Sequence, residues 1–321
     1  MPLSFAKTAT GAALYNWALL ALIVAFGGSS FVMIRSAVET APPALVGVGR
    51  LWVGAILLYI LMRAARRRLP PFFVRIKTEQ GQKLEIRRSW RWMIAVGAVG
   101  NVLPFFIFPW AQQYVDSGLA GIYMAFMPIW TLALAYLFAG EALTRYKMIG
   151  FFMGLAGVIV LMGPDALGGA ATSDIYAQGA LLFATFLYAA SAVLARRAPP
   201  IRPRVFAAGM MIVAAVMASP ALLFVGWEAE NWSLVSIMSV IGLGVFPTGL
   251  NGVLIIMLIR RAGAGFMALS NYITPVWAVI MGALIYNERL AASAFIALAI
   301  ILIGVAVSQR AAAPKPGQAN N

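Results

Sequence analysis

Cysteine and histidine are both missing from the 321 residues. Without cysteine there is no disulfide framework, thiol nucleophile or thiolate zinc site. Without histidine the commonest metal ligand and the usual acid–base side chain are gone. Charge is scarce as well: 11% of residues are charged and 62% are hydrophobic, whereas an ordinary soluble domain carries about 25% charged residues. So few charges do not cover a water-facing surface, which leaves a lipid-facing one. The charge present is lopsided, with 24 Lys and Arg against ten Asp and Glu, net +14. In a soluble chain this excess would point to nucleic acid. Here the basic residues sit between apolar runs, so no nucleic-acid partner is expected, and neither a metal nor a cofactor.

What is abundant is apolar sequence of spanning length. A helix needs roughly 20 mostly apolar residues to cross the hydrocarbon core, and ten stretches qualify: 17–35, 43–63, 92–111, 118–139, 147–163, 175–195, 204–225, 233–259, 264–286 and 291–308. None shows the ten-residue alternation of a membrane β-barrel strand. The first does not read as a cleavable signal peptide, having one preceding basic residue, Lys7, and no small-x-small site. If the N-terminus is cytoplasmic, all but Arg35, Arg50 and Arg289 of the 24 basic residues fall on the cytoplasmic side, as the positive-inside rule requires. The spacing therefore predicts an all-α integral membrane protein with ten transmembrane helices and both termini cytoplasmic.

One phrase occurs twice. Residues 127–143, MPIWTLALAYLFAGEAL, and 274–290, TPVWAVIMGALIYNERL, share Pro, Trp, Glu and Leu at an offset of 147. Gly97/Gly244, Gly118/Gly265, Leu155/Leu302 and Gly157/Gly304 keep that offset. Ser30/Ser191, Arg35/Arg196, Pro43/Pro203 and Gly49/Gly209 repeat at 160–161, the difference being roughly the extra length of the basic loop 64–91. The chain thus reads as a duplication: a cytoplasmic N-terminus at 1–16, a five-helix repeat at 17–164, a second at 165–309, and a disordered cytoplasmic tail at 310–321. Five is odd, so the second repeat enters the membrane from the opposite side. Inverted repeats of this kind are a device of secondary transporters.

The segments GGSSFVMIR (27–35), PPALVGVGRLWVGAILL (42–58), SGLAGIYMAFMPIWTLALAYLFAGEALTRYKMIGFFMGLAGVIVLMGP (117–164) and GAGFMALSNYITPVWAVIMGALIYNERLAASAFIALAIILIGV (263–305) resemble the drug/metabolite transporter superfamily, specifically its EamA-type ten-helix members. The resemblance spans nearly the whole chain, and its Pro…Glu-x-Leu pattern occurs in both halves. It implies a polytopic inner-membrane carrier, often an exporter of amino acids or related metabolites. The chain departs from the pattern in two places: the loop 64–91 is longer and more basic, and the second half's first span lacks the Gly-Ser-Ser run.

Polar groups at span depth are costly unless they face protein or a water-filled cavity. Ser30, Asn101, Tyr123, Tyr188, Thr248, Asn251, Asn271 and Tyr272, with Trp130 and Trp277 on the paired fourth spans, are the candidates for a midplane cavity binding a small amphipathic solute; interhelical packing is the alternative for any one of them. Pro104, Pro128, Pro247 and Pro275 sit inside spans, where proline removes a backbone donor and kinks the helix, and are hinge candidates. Arg50, the basic residue within an apolar run, is expected to snorkel or pair with an acid, a substrate carboxylate being the alternative. Glu141 and Glu288 lie at helix ends and are assigned structural or interfacial roles, partnered by a backbone or basic group of a neighbouring helix. No acid lies mid-span, so no deep carboxylate relay is visible. The eighth span, with SVIGLGVFPTGLNG in it, is expected to unwind locally. Gly150, Gly154 and Gly157 mark a packing or homodimer surface, and the basic loop is expected on anionic lipid.

The sequence therefore points to a secondary carrier with the small solute as its partner and the bilayer as its solvent. An uncoupled facilitator or channel is the alternative. A membrane-embedded enzyme is disfavoured, and no P-loop is present for direct drive by ATP.

Overall fold

The computed structural model describes residues 9–78, 81–139, 144–162, 173–225 and 232–310. Helices α1 (Ala9–Val38) and α2 (Pro43–Ala64) precede a hairpin of strands β1 (Phe73–Thr78) and β2 (Gly81–Ile86). The third span is α3 (Arg88–Gly97), a π-helical segment (Ala98–Val102) and α4 (Leu103–Ala111). The fourth is α5 (Ser117–Met124) and α6 (Met127–Ala139), and the fifth is α7 (Arg145–Met162). The second half begins with α8 (Ser173–Arg197) and α9 (Pro203–Ala218), which ends in a 3-10 turn (Ser219–Phe224). The eighth span is α10 (Leu234–Leu243), a second π-helical segment (Gly244–Leu250) and α11 (Asn251–Met267); α12 (Ser270–Tyr286) and α13 (Ala292–Arg310) complete the chain's helices. Among the described residues eight stretches are long and apolar enough to cross a membrane, and the shorter apolar helices Ser270–Tyr286 and Ala292–Ser308 make ten. The protein is an all-α, multi-pass membrane protein.

The breaks in the spans have local causes. Pro128 cannot donate to residue 124 and its ring crowds that carbonyl, so the fourth span turns at Ala125–Phe126 before α6 restarts. Pro104 and Pro247 lack the same donor, and the helix widens to π geometry next to one and around the other. The expected unwinding of the eighth span is thus a π segment with its backbone still largely bonded. The two π segments occupy matching registers of the two halves and contain the pseudo-equivalent Asn101 and Thr248. Gly263, at φ 83° and ψ 164°, adopts a backbone region open in practice to glycine alone. It breaks α11 where the chain passes from the eighth span to the ninth.

The loop 64–91 contains a feature not expected from sequence. FVRIKT and GQKLEI pair antiparallel, with Phe73 opposite Ile86 and Thr78 opposite Gly81. The alternation of apolar and polar residues in Phe-Val-Arg-Ile-Lys-Thr is short, but it has the strand period.

Packing relates the two halves. α1 packs on α12 as α8 packs on α6; α2 packs on the eighth span's π segment as α9 packs on the third span's; α2 meets α9, and α7 meets α13. Backbones touch at equivalent glycines. A Cβ on Gly244 would lie 3.1 Å from the carbonyl oxygen of Arg50, and one on Gly97 would lie 2.9 Å from that of Met210. Likewise Gly150 faces the carbonyl of Gly304, while Gly157 faces that of Ala297 at 3.1 Å. Exchanging the halves by the sequence offset maps each contact onto its partner. Gly150 and Gly157 of α7 thus pack within the chain against α13, and Gly154 packs against Phe126 and Ile129.

Candidate functional site

One cavity of about 800 Å³ lies at the centre of the helices. Its deep end is at Ile34 and Phe108, about one turn from the ends of α1 and α4, with Arg50 and Asn101 further along it, and it reaches the opposite helix ends at Ala64, Ala65, Pro203 and Arg204. Pro203 and Arg204 are exposed. This end of the protein carries Arg63, Arg66, Arg67, Arg68 and Arg202, so the cavity opens toward the basic face.

The opposite face is laced shut by hydrogen bonds. Ser36 Oγ and the Tyr286 hydroxyl are 2.6 Å apart, Ser236 Oγ donates to the Ser36 carbonyl at 2.9 Å, and Thr40 Oγ1 lies 2.7 Å from Ser236 Oγ. The Ser233 N–H donates to Thr40 Oγ1 at 2.9 Å, and Arg35 donates to the Gln112 carbonyl at 3.0 Å. Glu288 closes the layer: Oε1 accepts from the N–H and hydroxyl of Ser117 at 2.8 and 2.7 Å, and Oε2 from the N–H of Gly118 at 2.8 Å. The carboxylate can fold back because Asn287 ends α12 in the left-handed region, φ 52°, which asparagine tolerates. Helix N-termini leave N–H groups unpaired and favour negative charge, so Glu288 meets both needs of α5. Beside it, burial first, then the Glu288 carboxylate, push the Asp116 carboxyl above its ordinary range, with Arg35 opposing and Asp174 reinforcing the shift.

Of the sequence's cavity candidates, Ser30, Asn101, Tyr188, Thr248, Asn251 and Asn271 line this space. The amide oxygen of Asn251 is buried in its wall with no hydrogen-bond partner among the described residues. Tyr123, Trp130, Tyr272 and Trp277 do not line it, so the aromatic wall expected from them is absent. Tyr123 is fully buried and donates to Gln178 at 2.7 Å. Trp130 packs edge-on to Phe126 and Phe186. Trp277 lies against Gly28 and donates its indole N–H to Ser29 at 3.0 Å, and Tyr272 packs on the hydrophobic core. In each case the helix turns the ring toward a neighbouring helix. Pro247 lines the cavity, whereas Pro104, Pro128 and Pro275 shape helices without doing so. Glu141 lies outside the described residues.

The aromatic wall is supplied instead by Phe31, Phe105 and Phe108, joined by aliphatic residues and by the methionines Met124, Met127, Met210 and Met211. Sequence reasoning passed over these as ordinary apolar residues; the only clue was the proximity of Phe105 and Phe108 to Asn101 at helical spacing. Arg50 is also in the wall, 8% exposed. It makes no ion pair among the described residues. Its Nε donates to Thr248 Oγ1 at 2.8 Å and its guanidinium lies 3.9 Å from the centre of the Phe105 ring.

A cavity that is sealed at one face, open at the other and lined by a few hydroxyls and amides among apolar side chains defines a membrane transporter. The sequence pattern of the EamA-like transporter family matches residues 15–163 and 176–309, and the chain belongs to that family. It is similar to an uncharacterized inner membrane transporter, YedA, of Escherichia coli K12, 27% identical over 90% of this chain and 88% of that one. An uncharacterized transporter, YoaV, of Bacillus subtilis is 21% identical over 87% and 91%. The aromatic amino acid exporter YddG of Ancylobacter novellus is 25% identical over 68% of this chain and 76% of its own length. A solved crystal structure, 20% identical, superposes with a TM-score of 0.61 over 94% of this chain and 98% of that one, which speaks for the fold.

Proposed function

We propose that the protein is a secondary carrier that exports a small organic solute, an amino acid or related metabolite, across the inner membrane by alternating access. The observation that carries this reading is the central cavity, open at the basic face and closed at the other. The positive-inside rule supports a cytoplasmic basic face, and on this reading the cavity is inward-open, ready to load from the cytoplasm. A volume of about 800 Å³ suits a metabolite-sized solute.

The half-exchanging contacts support two inverted five-helix units, and the two stretches matched by the family pattern, one in each half, agree. Exchange between states would rock spans 1–4 against 6–9, undoing the Ser36–Tyr286 and Glu288–Ser117 layer while the basic ends close, with α7 and α13 as the static support. The basic face would rest on anionic lipid: Arg68, Arg87, Arg88 and Arg202 surround a surface cleft there.

The test is transport by full-length protein in proteoliposomes, with amino acids and related metabolites inside or outside. Saturable flux with counterflow is expected. Unsaturable flux without counterflow would favour an uncoupled channel.

A further inference from the structure

We propose that Arg50 is the anchor for an anionic group of the transported solute, and that the substrates are small organic carboxylates, amino acids included. This rests on the carrier reading and specifies what its cavity recognises.

A guanidinium removed from water is stable only if charge and hydrogen bonds compensate it. The chain supplies too little. None of its ten Asp and Glu lies in the interior of a span, and the hydrogen-bond and ring partners of Arg50 among the described residues are Thr248 and Phe105. Both of these orient the group without neutralising it. Thr248 gives its hydroxyl proton to the Leu243 carbonyl at 2.8 Å, so a lone pair is left to accept from Nε. This bond exists because the π segment turns Thr248 toward α2, where Gly54 leaves room for its methyl group. Phe105 lies against the guanidinium carbon and covers one side of the group.

With Nε held and one face covered, the two terminal nitrogens remain, and the residue lines the cavity. A planar fork of N–H donors matches a carboxylate bidentately. The neighbouring Phe105, Phe108 and Met124 would take the apolar remainder of the same solute. The competing role, in which Arg50 only ties α2 to the eighth span, accounts for Nε but leaves the charge uncompensated and the terminal nitrogens unused.

The experiment is equilibrium binding to full-length protein in lipid nanodiscs, by calorimetry, of pairs differing only at the anion: L-phenylalanine and L-phenylalaninamide, L-leucine and L-leucinamide, phenylacetate and phenylacetamide. Acids are expected to bind at least about tenfold more tightly than their amides, the range of a charge-assisted hydrogen bond. Arg50→Gln should bring the ratio to about one, and Arg50→Lys should keep part of it. Amides binding as well as acids, no acid binding at all, or discrimination that survives in Arg50→Gln would each overturn the proposal. The wild-type ratio decides even if a variant fails to fold. Counterflow of a neutral solute without any preference for acids would remove the anion site and leave the carrier standing.

Discussion

Glu288 is one half of a repeated Glu-x-Leu, and its geometry accounts for a carboxylate at that position. It satisfies three donors at the start of α5, two of them backbone N–H groups that no helical carbonyl can reach. Glu288→Ala should therefore lower stability by about 2–3 kcal/mol, the scale for losing a charged partner of buried donors, read as a lower thermal midpoint in detergent. Asp116, next to it, is held above its ordinary range mainly by burial. A raised folded pKa means the native state keeps the proton longer. Its contribution to stability is then present at acid pH and is lost as pH rises through the folded value. Asp116→Asn should flatten that part of the stability–pH curve and raise the midpoint at pH 7 relative to wild type.

At this scale the sequence was partly readable. Polar residues inside spans 1, 3, 6, 8 and 9 drew attention to Ser30, Asn101, Tyr188, Thr248, Asn251 and Asn271, all of which lie along the cavity, because buried polar groups need either water or partners. It misplaced Trp130 and Trp277, since a ring inside a span reads identically whether it faces a cavity or a neighbouring helix. Arg50 stood out, but its company did not: only the fold brings Thr248 and Phe105 to it.

Among elements, the π segments and the α7–α13 pair differ in what they do. The first aims side chains into the cavity. Pro247→Ala would restore an N–H and favour an ordinary helical turn, rotating Thr248 away from Arg50; transport should fall while the purified protein stays folded. The second pair only packs. Gly150→Val puts bulk against the Gly304 backbone, and overpacking of this kind costs about 1–3 kcal/mol, so the thermal midpoint should drop with little change in transport per folded molecule. Helix number and order were legible because spanning length is a strict requirement. The hairpin at 73–86 was not, because each strand has six residues and a highly charged loop masks so short an alternation. The π geometry was invisible for a different reason: proline announces a break, and tertiary packing decides which form the break takes.

At the scale of the whole molecule, the layer of Ser36, Thr40, Ser233, Ser236, Tyr286 and Glu288 holds one face closed. Removing one neutral hydrogen bond is worth about 1 kcal/mol, close to a fivefold change in a two-state equilibrium. Tyr286→Phe should therefore raise the outward-open population several-fold. The native chain has no cysteine, so Asn101→Cys provides a reporter within the cavity. Its labelling by a membrane-impermeant thiol reagent from outside should speed up by that factor when Tyr286→Phe is added, and labelling from inside should slow or stay level.

Alternating access in this form requires the halves to face opposite ways, a property that length, charge and repetition predicted together and that the paired glycine contacts support. Single-cysteine variants at equivalent junctions test it most directly: Thr144→Cys, just before α7, and Arg289→Cys, just before α13. In sealed, oriented vesicles an impermeant thiol reagent should reach the first only from the cytoplasmic side and the second only from the outer side. If both are labelled from the same side, the two halves are parallel, and the mechanism built on their inversion is wrong.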